Sequence, residues 1–452
     1  MDFLPRSLDD RLARWRSRRC PKPLLLRGPR QVGKSSLVRS FARGFDHYIE
    51  LNLEHEPDRR LFRTLPEARP FLDALFARAR IRPKPEESVL LFIDEIQQAP
   101  PAIQFLRYLY EDQDRVHVIA AGSLLEFTIG EVRSMPVGRI EFVPVYPLSF
   151  REFLIWTRRD ILAEALDVVP APDHLHGLLA EAFREYALVG GMPDAVKAYA
   201  EGLPVPEIED IYRGIWTSYT VDLERHASSK SRRRLLRFLL AEAPNQHDRI
   251  SYANIGGSDY RGREVREGLE VLAMARVLKV VRPTTALEPP ALPHTRGKPR
   301  LQLMDTGLLN YVTGLQSTTT RLEEVGSVYR GRLGLHIVTQ ELIASQRGYE
   351  YEPHFWIREN KKANAEVDLV YRYGMELLGF EVKSGAQGRL RSLHQFVERA
   401  GSRIAVRALD NAASVEDVKT PAGYAYRLLN IPLYATARVK EYVDWALTRS
   451  TT

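Results

Sequence analysis

The stretch from Pro23 to Leu37, PLLLRGPRQVGKSSL, constrains the fold of this chain more than any other. Its apolar beginning, Leu24 to Leu26, predicts a buried strand, and the amphipathic segment from Lys34 predicts a helix. The loop between them fits the pattern G-x-x-x-x-G-K-[ST] without a gap. The residues of this predicted phosphate-binding loop are Gly28, Pro29, Arg30, Gln31, Val32, Gly33, Lys34, Ser35 and Ser36.

This loop has the residue types needed to hold a nucleoside triphosphate. Glycines let successive backbone N–H groups face the phosphates, and the helix N-terminus adds its positive end. We expect Lys34 to reach the β and γ phosphates and the Ser35 hydroxyl to bind Mg²⁺. An incidental lysine after a chance glycine loop would lack the surrounding strand and helix. The sequence therefore predicts ATP and Mg²⁺ as cofactors.

Length and composition set the broad class of protein. A chain of 452 residues suggests about three domains, and 44% apolar with 27% charged residues is typical of a globular protein. The net charge of +7 permits an anionic partner without requiring one. Cys20 is the single cysteine, so neither an intrachain disulfide nor a cysteine zinc cluster can form. With no signal-peptide pattern and no long apolar stretch, we expect a cytoplasmic protein without a membrane partner.

Apolar strands separated by helical segments follow the loop. Strands are predicted at His47–Leu53, Ser88–Asp94 and Val116–Ala121, with helices near Ser36–Arg43 and Ile103–Asp112. Continuous apolar strands that alternate with helices favour a parallel sheet covered on both faces. The first 150 residues are therefore predicted to form a doubly wound α/β domain.

Four further residues are candidates for the chemistry of this domain. Asp94 ends a predicted strand, where an acid can join the Mg²⁺ shell, and Glu95 beside it can polarise the attacking water. Two solvated acids at a strand end are the alternative. Ser123 closes the next strand and is a candidate sensor of the γ-phosphate, unless it is only a turn serine. Arg139 follows a loop from which it could reach a neighbouring subunit's γ-phosphate, with an ordinary surface arginine as the alternative.

The motifs GPRQVGKS, LLFIDEIQ, AGSL and GRIEFVPVYPLSFREF together resemble AAA+ type ATPases of bacteria and archaea that have an uncharacterised C-terminal module. The resemblance continues in GGMP at 190–193 and LMDTGL at 303–308, so it covers most of the chain. It implies an α/β fold with a P-loop AAA+ core at 1–150, a helical lid at 151–228, a winged-helix domain at 229–321 and a restriction-endonuclease-like domain at 322–452. It also implies a homo-oligomer that forms a hexamer-like ring, with Arg139 as an arginine finger. The second sensor arginine of the lid has no obvious counterpart.

The middle of the chain is basic. A KSRRRLLR segment at 230–237 begins one predicted helix, and Arg261–Ala275 forms another before a predicted two-stranded wing. Such an order resembles a winged helix, which commonly binds DNA. The candidate DNA-binding residues are Arg232, Arg233, Arg234, Arg261, Arg263 and Arg266. The alternative is that this domain packs against neighbouring subunits.

A second group of residues that could form a metal site lies in the last 130 positions. Alternation places Glu366 and Asp368 on one face of a predicted strand, and Glu381 and Lys383 on one face of the next. Carboxylates from two strands and a lysine can hold a divalent metal and orient a water. The spacing is similar to the PD-(D/E)XK nuclease pattern, with Val367 in place of proline. By that resemblance Asp368 and Glu381 are metal ligands, Lys383 polarises the water and helical Glu341 completes the site. Salt-bridged surface strands are the alternative.

Three functions remain open from the sequence. The leading hypothesis is a Mg²⁺-dependent ATPase that forms a ring and acts on DNA, as a motor or as a remodeller of branched DNA in recombination, repair or mobile-element defence. The first alternative is an ATP-regulated PD-(D/E)XK endonuclease. The second is a nucleotide-switched signalling or scaffold ATPase with a protein client.

Overall fold

The computed structural model divides the chain into two compact units. The first comprises Met1–Tyr146, Met274–Arg276 and Arg347–Glu350, and the second Pro147–Ala273, Val277–Gln346 and Tyr351–Thr452. The structure describes residues 5–111, 116–129, 136, 138–246, 248–318, 327–346, 348, 350–358, 365–383 and 390–449. In that part of the chain, a search for helices of membrane-spanning length and hydropathy finds none.

The first unit alternates strands and helices. Its strands are β1 (Leu24–Arg27), β2 (His47–Asn52), β3 (Val89–Asp94), β4 (Val116–Gly122) and β5 (Glu141–Pro144). Its helices are α1 (Asp9–Arg16), α2 (Lys34–Ala42), α3 (Glu56–Thr64), α4 (Ala68–Ala79), α5 (Pro100–Glu111) and α6 (Leu125–Ile129), with a short 3-10 turn at Ile96–Gln98. The predicted strands and helices of this region are therefore confirmed to within a few residues at each end.

These strands form a parallel sheet in the order β2-β3-β4-β1-β5. All six residues of β3 are buried, so both faces of the sheet are covered at its centre. This is why the strands read as continuous apolar runs instead of alternating ones. The predicted doubly wound α/β core is confirmed, and the carboxyl ends of β1, β3 and β4 meet at one edge of the sheet.

The second unit is larger and mixed. Its helices are α7 (Phe150–Trp156), α8 (Asp160–Leu166), α9 (His176–Val189), α10 (Pro193–Ala200), α11 (Val205–Arg225), α12 (Lys230–Glu242), α13 (Gly262–Met274), α14 (Thr306–Val312), α15 (Leu315–Thr318), α16 (Ser327–Ala344), α17 (Arg391–Ala400) and α18 (Val439–Thr448). Its strands are β6 (Leu278–Thr284), β7 (Arg300–Leu303), β8 (His354–Ile357), β9 (Glu366–Tyr373), β10 (Glu376–Val382), β11 (Ile404–Leu409), β12 (Ser414–Lys419) and β13 (Ala425–Pro432). Short 3-10 turns lie at Asp173–Leu175, Ala243–Asn245, Ile255–Gly257 and Leu433–Arg438.

The strands of the second unit belong to one sheet in the order β12-β13-β11-β10-β9-β8-β6-β7. The β6–β7 hairpin corresponds to the predicted wing, and β6 also pairs in parallel with β8. Strands from the predicted third and fourth domains therefore share a sheet. The boundary predicted between 321 and 322 lies outside the described residues, and the four-domain division stays a prediction.

Helices α12 and α13, which correspond to the two helices predicted in this segment, are present and pack closely. A Cβ atom on Gly268 of α13 would lie 2.3 Å from Cδ1 of Leu239 on α12, so a larger residue there would have to displace the end of that leucine side chain. Two helices and a hairpin thus follow one another in the predicted order. The assignment of this segment as a winged helix remains a prediction.

The GGMP and LMDTGL motifs meet in the core of the second unit. Asp305 caps α14 by accepting from the Leu308 N–H at 3.0 Å, and its carboxylate also accepts from the Gly191 N–H at 2.6 Å and the Tyr212 hydroxyl at 2.8 Å. Gly190 has φ +86°, a left-handed value that favours glycine. Burial raises the pKa of Asp305, and these donors oppose the rise. Both motifs therefore have structural roles.

Candidate functional site

The predicted phosphate-binding loop connects β1 to α2 at the carboxyl edge of the parallel sheet. Gly33 caps α2 with φ +83°, and Gln31 also has a left-handed φ of +62°. Gly28 has no room for a side chain, because a Cβ there would lie 2.2 Å from the Val145 carbonyl oxygen. Arg6, which the sequence analysis did not single out, donates to the Val32 carbonyl oxygen at 3.0 Å. The loop is therefore held closely on both sides.

The Lys34 side chain is buried inside this loop. Its ammonium donates to the carbonyl oxygens of Gly28 at 3.0 Å and Pro29 at 2.7 Å. Burial lowers the pKa of Lys34 to about 8, while the negative charges of Glu95 and Asp94 oppose this effect. A triphosphate would supply the counter-charge that two carbonyl oxygens do not.

Ser35 and Asp94 lie in direct contact across the edge of the sheet. The Ser35 hydroxyl donates to Oδ2 of Asp94 at 2.7 Å. A hydroxyl and a carboxylate are hard oxygen donors of the kind Mg²⁺ prefers, and Mg²⁺ commonly takes one or two protein ligands beside substrate phosphates. These two residues therefore fit the predicted metal role.

Glu95 follows Asp94 in a left-handed conformation, with φ +51° and ψ +42°. Such a backbone is costly for a residue other than glycine and occurs often at functional sites. Burial raises the pKa of Glu95, opposed by a hydrogen bond that its Oε2 accepts from Gln97 Nε2. Gln97 is not among the predicted site residues, although its position two residues after the acidic pair was a usable signal.

Ser123 and Arg139 occupy different environments. Ser123 lies directly after β4, and its hydroxyl is buried without a hydrogen-bond partner within the described chain. Arg139 has a side chain 46% exposed, and its Nε donates to Oε1 of Glu111 at 3.0 Å. Of the other loop residues, Val32 is buried, Arg30 is half-buried and Ser36 is exposed.

An ion-pair network that the sequence analysis missed lies within the first unit, beside the phosphate-binding loop. Arg276 contacts Glu126 at 2.6 Å and Glu350 at 3.1 Å, and Glu350 also pairs with Arg27 at the end of β1. Glu126 raises the pKa of Lys34, although less than the acidic pair does. Arg276 is buried and has φ +56°. The network joins the loop to two chain segments that are distant in sequence.

The predicted nuclease-like residues Asp368, Glu381 and Lys383 come together on β9, β10 and the position after β10. Oδ2 of Asp368 accepts from the Val382 N–H at 2.9 Å, and the Lys383 ammonium donates to Oε1 of Glu381. Burial raises the pKa of Glu381 to about 7, with the negative charge of Asp368 adding to this effect. Oε2 of Glu381 is buried without a hydrogen-bond partner in the described part of the molecule.

Basic side chains from the protein neutralise this acidic cluster. The Arg300 guanidinium pairs with Glu366 and lies 3.6 Å from Oδ1 of Asp368, while Lys383 pairs with Glu381. Among the described residues, no group of three or more His, Cys, Asp or Glu side chains could hold a metal ion. In this arrangement the cluster does not fit the divalent metal that the resemblance implies.

Glu341, the fourth predicted member, has other partners. Its Oε1 accepts from the Phe150 N–H at 3.0 Å and from the Tyr186 hydroxyl at 2.8 Å. Burial raises the pKa of Glu341 to about 7, opposed by the Tyr186 hydrogen bond. None of its described hydrogen bonds goes to Asp368, Glu381 or Lys383. These contacts give Glu341 a structural role in joining α16 to α7 and α9.

The candidate DNA-binding arginines lie on α12 and at the start of α13. Arg233, Arg234, Arg261, Arg263 and Arg266 are exposed, whereas Arg232 is half-buried. Acidic neighbours partly compensate them: Glu267 pairs with Arg263 at 3.0 Å and with Arg232 at 3.5 Å, and Glu270 pairs with Arg266 at 3.2 Å.

Comparison with family models agrees with the prediction of a nucleotide site in this part of the chain. Residues 21–154 match the family model of an AAA domain. Residues 180–319 and 331–432 match two domains of unknown function, DUF8612 and DUF4143. Among solved structures, the chain is similar to the Walker-type ATPase of Pyrococcus abyssi, with 16% identity, a TM-score of 0.45, and coverage of 69% of this chain and 96% of that one. A search of curated proteins finds no match. Residues 21–154, most of which belong to the first unit, are therefore similar to an AAA domain.

Proposed function

We propose that this chain, with its AAA-type P-loop ATPase domain, is a Mg²⁺-dependent ATPase that forms a ring-shaped homo-oligomer and acts on DNA. The motor would move along DNA or remodel branched DNA, in recombination, repair or mobile-element defence. The observation that carries the proposal is the meeting of Lys34, Ser35, Asp94, Glu95 and Ser123 at one edge of the parallel sheet. Each has a distinct role toward ATP.

The roles follow from the chemistry of the side chains. In this proposal Lys34 exchanges its two carbonyl partners for the β and γ phosphates, which supply full negative charges. Ser35 and Asp94 hold Mg²⁺, which when bound would neutralise charge on the phosphates. Glu95, whose pKa burial raises, accepts a proton from the attacking water, and Gln97 positions its carboxylate. Ser123, whose hydroxyl is buried and unpartnered, donates to the γ-phosphate.

The ring is proposed because Arg139 lies outside the set that meets at the sheet edge. Its described ion pair is with Glu111 at the end of α5, and nearly half of the side chain is exposed. An exposed arginine is available to a neighbouring subunit, where it can stabilise the charge that develops on the transferred phosphoryl group.

The DNA part of the proposal is supported by exposed arginines on α12 and α13 and by the net charge of +7. Side-chain exposure of Arg263 reaches 90%. Lysines and arginines that neutralise phosphates release counterions, so binding would weaken steeply as salt rises. The glutamates that pair with these arginines weaken their attraction for DNA phosphates. DNA binding should therefore be measured at low salt.

The test is ATP hydrolysis by the full chain with and without linear or branched DNA at low salt. We expect DNA to stimulate hydrolysis and Lys34→Ala to lose ATP binding. Glu95→Gln should still bind ATP but hydrolyse it more slowly by about 10²-fold or more. Glu86→Gln, an exposed acid before β3, is the matched control and should keep full activity. Turnover in Glu95→Gln close to that of the wild type would refute the site assignment. Absence of DNA binding and stimulation would refute the DNA part and favour a protein client.

An ATP-regulated endonuclease is the second candidate, and it rests on the convergence of Asp368, Glu381 and Lys383. Arg300 and Lys383 neutralise these carboxylates, so the cluster is better suited to contacting a ligand than to holding a metal. Nicking of DNA that disappears in Asp368→Asn would favour the endonuclease over the motor.

A further inference from the structure

A cavity of about 380 Å³ lies within the second unit, between α16, β7 and the turn that follows α12. Its volume is in the range of small-molecule sites in proteins. Leu335 and Leu369 contribute to an apolar wall, and Arg300, Arg332, His336 and Asp368 provide polar groups. The cavity thus combines the apolar lining and the few convergent polar groups that are typical of ligand pockets.

His336 is the strongest indication that this cavity holds a ligand. The residue is 8% exposed and lines the cavity, and neither of its ring nitrogens has a hydrogen-bond partner within the described residues. Burial lowers the pKa of His336 to about 3, so the ring is neutral and offers one donor and one acceptor. Buried groups of this kind are rarely left unsatisfied, because each loses its hydrogen bonds to water.

Arg332 lies one helical turn before His336, on the same face of α16. It is half-buried, and no hydrogen bond or ion pair joins it to any residue that the structure describes. Arg300 and Asp368 also line the cavity and lie 3.6 Å apart. Arg300 pairs more closely with Glu366, which Arg249 also contacts at 2.9 Å, so these two arginines balance the two carboxylates. Asp248, which also lines the cavity, is exposed, so water screens its charge. The uncompensated charge inside is therefore positive and favours an anionic group.

We propose that this cavity is a binding site for a nucleoside monophosphate, taken either as the free nucleotide or as the terminal nucleotide of a nucleic acid strand. Arg332 pairs with the phosphate, because a guanidinium matches phosphate geometry with two parallel hydrogen bonds. His336 hydrogen-bonds to the polar edge of the base. Leu335 and Leu369 contact the faces of the ring.

The site differs from the ATP site and does not rest on the proposed ATPase activity. Every residue that lines the cavity belongs to the second unit, whereas the phosphate-binding loop belongs to the first. Asp368 belongs to both the cavity lining and the acidic cluster, so a bound nucleotide would lie beside that cluster. A metal ion is a poor alternative ligand because two guanidinium groups face the same space.

The proposal is tested by isothermal titration calorimetry of the full chain with 5′-dAMP. The titration is repeated on the Lys34→Ala variant, in which binding at the phosphate-binding loop is removed. We expect 5′-dAMP to bind both proteins equally, and Arg332→Gln and His336→Leu each to weaken binding about tenfold or more. Arg403→Gln, an arginine whose side chain is 84% exposed and lies outside the cavity, is the control and should bind like the wild type.

Additional measurements distinguish a free nucleotide from the end of a DNA strand, and lost binding from lost folding. Competition by a short 5′-phosphorylated DNA strand supports a strand terminus, and its absence supports the free nucleotide. His336→Leu places an apolar side chain in a buried position, so an unchanged melting temperature will confirm that lost binding is not lost folding. The proposal is overturned if inorganic phosphate binds as tightly as 5′-dAMP, if both substitutions leave binding unchanged, or if folded wild-type protein does not bind millimolar 5′-dAMP.

Discussion

Gly28 illustrates at the residue scale how closely the phosphate-binding loop is packed. Its missing side chain leaves space for the Val145 carbonyl oxygen, which lies 2.2 Å from where a Cβ atom would be. Gly28→Ala must therefore displace backbone. We expect a loss of about 1–3 kcal/mol in stability and a marked loss of ATP affinity. Thermal unfolding and nucleotide titration measure the two effects.

Gly177, near the start of α9, is the matched control for this substitution. Nothing lies within 4 Å of a Cβ atom built there. Gly177→Ala should be neutral or stabilising by up to about 1 kcal/mol, because alanine favours the helix. Equal effects at both positions would contradict the tight packing of the loop.

The raised pKa of Glu341 predicts that the stability of the folded chain depends on pH. Its pKa is about 7 in the folded chain and near the ordinary value of 4.5 when unfolded. The folded state therefore binds the extra proton between these values, and its stability falls as pH rises from about 4.5 through 7. Glu341→Gln cannot titrate, and its amide oxygen can still accept from Phe150 and Tyr186.

We expect the stability of the wild type to fall relative to Glu341→Gln by about 3 kcal/mol between pH 5 and pH 8. Melting temperatures of both proteins measured across this range test the expectation. Glu181→Gln, an exposed acid on α9, should follow the wild type. Parallel pH profiles for wild type and Glu341→Gln would show that this carboxyl titrates normally.

At the scale of elements, Arg300 of β7 supplies counter-charge to the acidic cluster. Its guanidinium pairs with Glu366 and lies 3.6 Å from Asp368 of β9, and its Cζ lies 4.5 Å from the centroid of the Phe355 ring. Arg300→Gln leaves these carboxylates near Glu381 without that counter-charge. We expect Mn²⁺ affinity, measured by calorimetry, to rise about tenfold or more in this variant. Arg263→Gln is the control, and unchanged Mn²⁺ binding in Arg300→Gln would refute the blocking role.

The elements that the sequence predicted well are those whose signal is local. The apolar run before Gly28 and the six buried residues of β3 identify strands without knowledge of their partners. By contrast, the pairing of β6 with β8 joins residues about 70 positions apart, and no local pattern specifies it. The role of Glu341 was equally hidden, because its partners Phe150 and Tyr186 are remote in sequence.

At the scale of the whole molecule, the phosphate-binding loop is connected to segments that the sequence analysis assigned to other domains. Arg276 lies two residues after the end of α13 and Glu350 lies before β8, yet both belong to the first unit. Their ion pairs with Glu126 and Arg27 span 150 and 323 positions of the chain. Motifs predicted the residues of the phosphate-binding loop, whereas this network could be found only from the fold.

The role of Arg139 can be tested only in the assembled oligomer. If its guanidinium completes a neighbour's ATP site, Arg139→Ala should still bind ATP and should hydrolyse it about 10³-fold more slowly. Arg107 is the matched control, because it is similarly exposed and pairs with the same Glu111 carboxylate. Arg107→Ala should therefore keep nearly full turnover.

Mixing two inactive variants distinguishes a shared site from a role within one chain. Glu95→Gln retains the arginine and Arg139→Ala retains the base, so a subunit of the second kind beside one of the first would form a complete site. We expect the mixture to regain ATP hydrolysis that neither protein has alone, with turnover rising as subunits exchange. A mixture that stays inactive although sedimentation shows mixed oligomers would place Arg139 outside the neighbour's site, and full activity of Arg139→Ala alone would remove it from catalysis altogether.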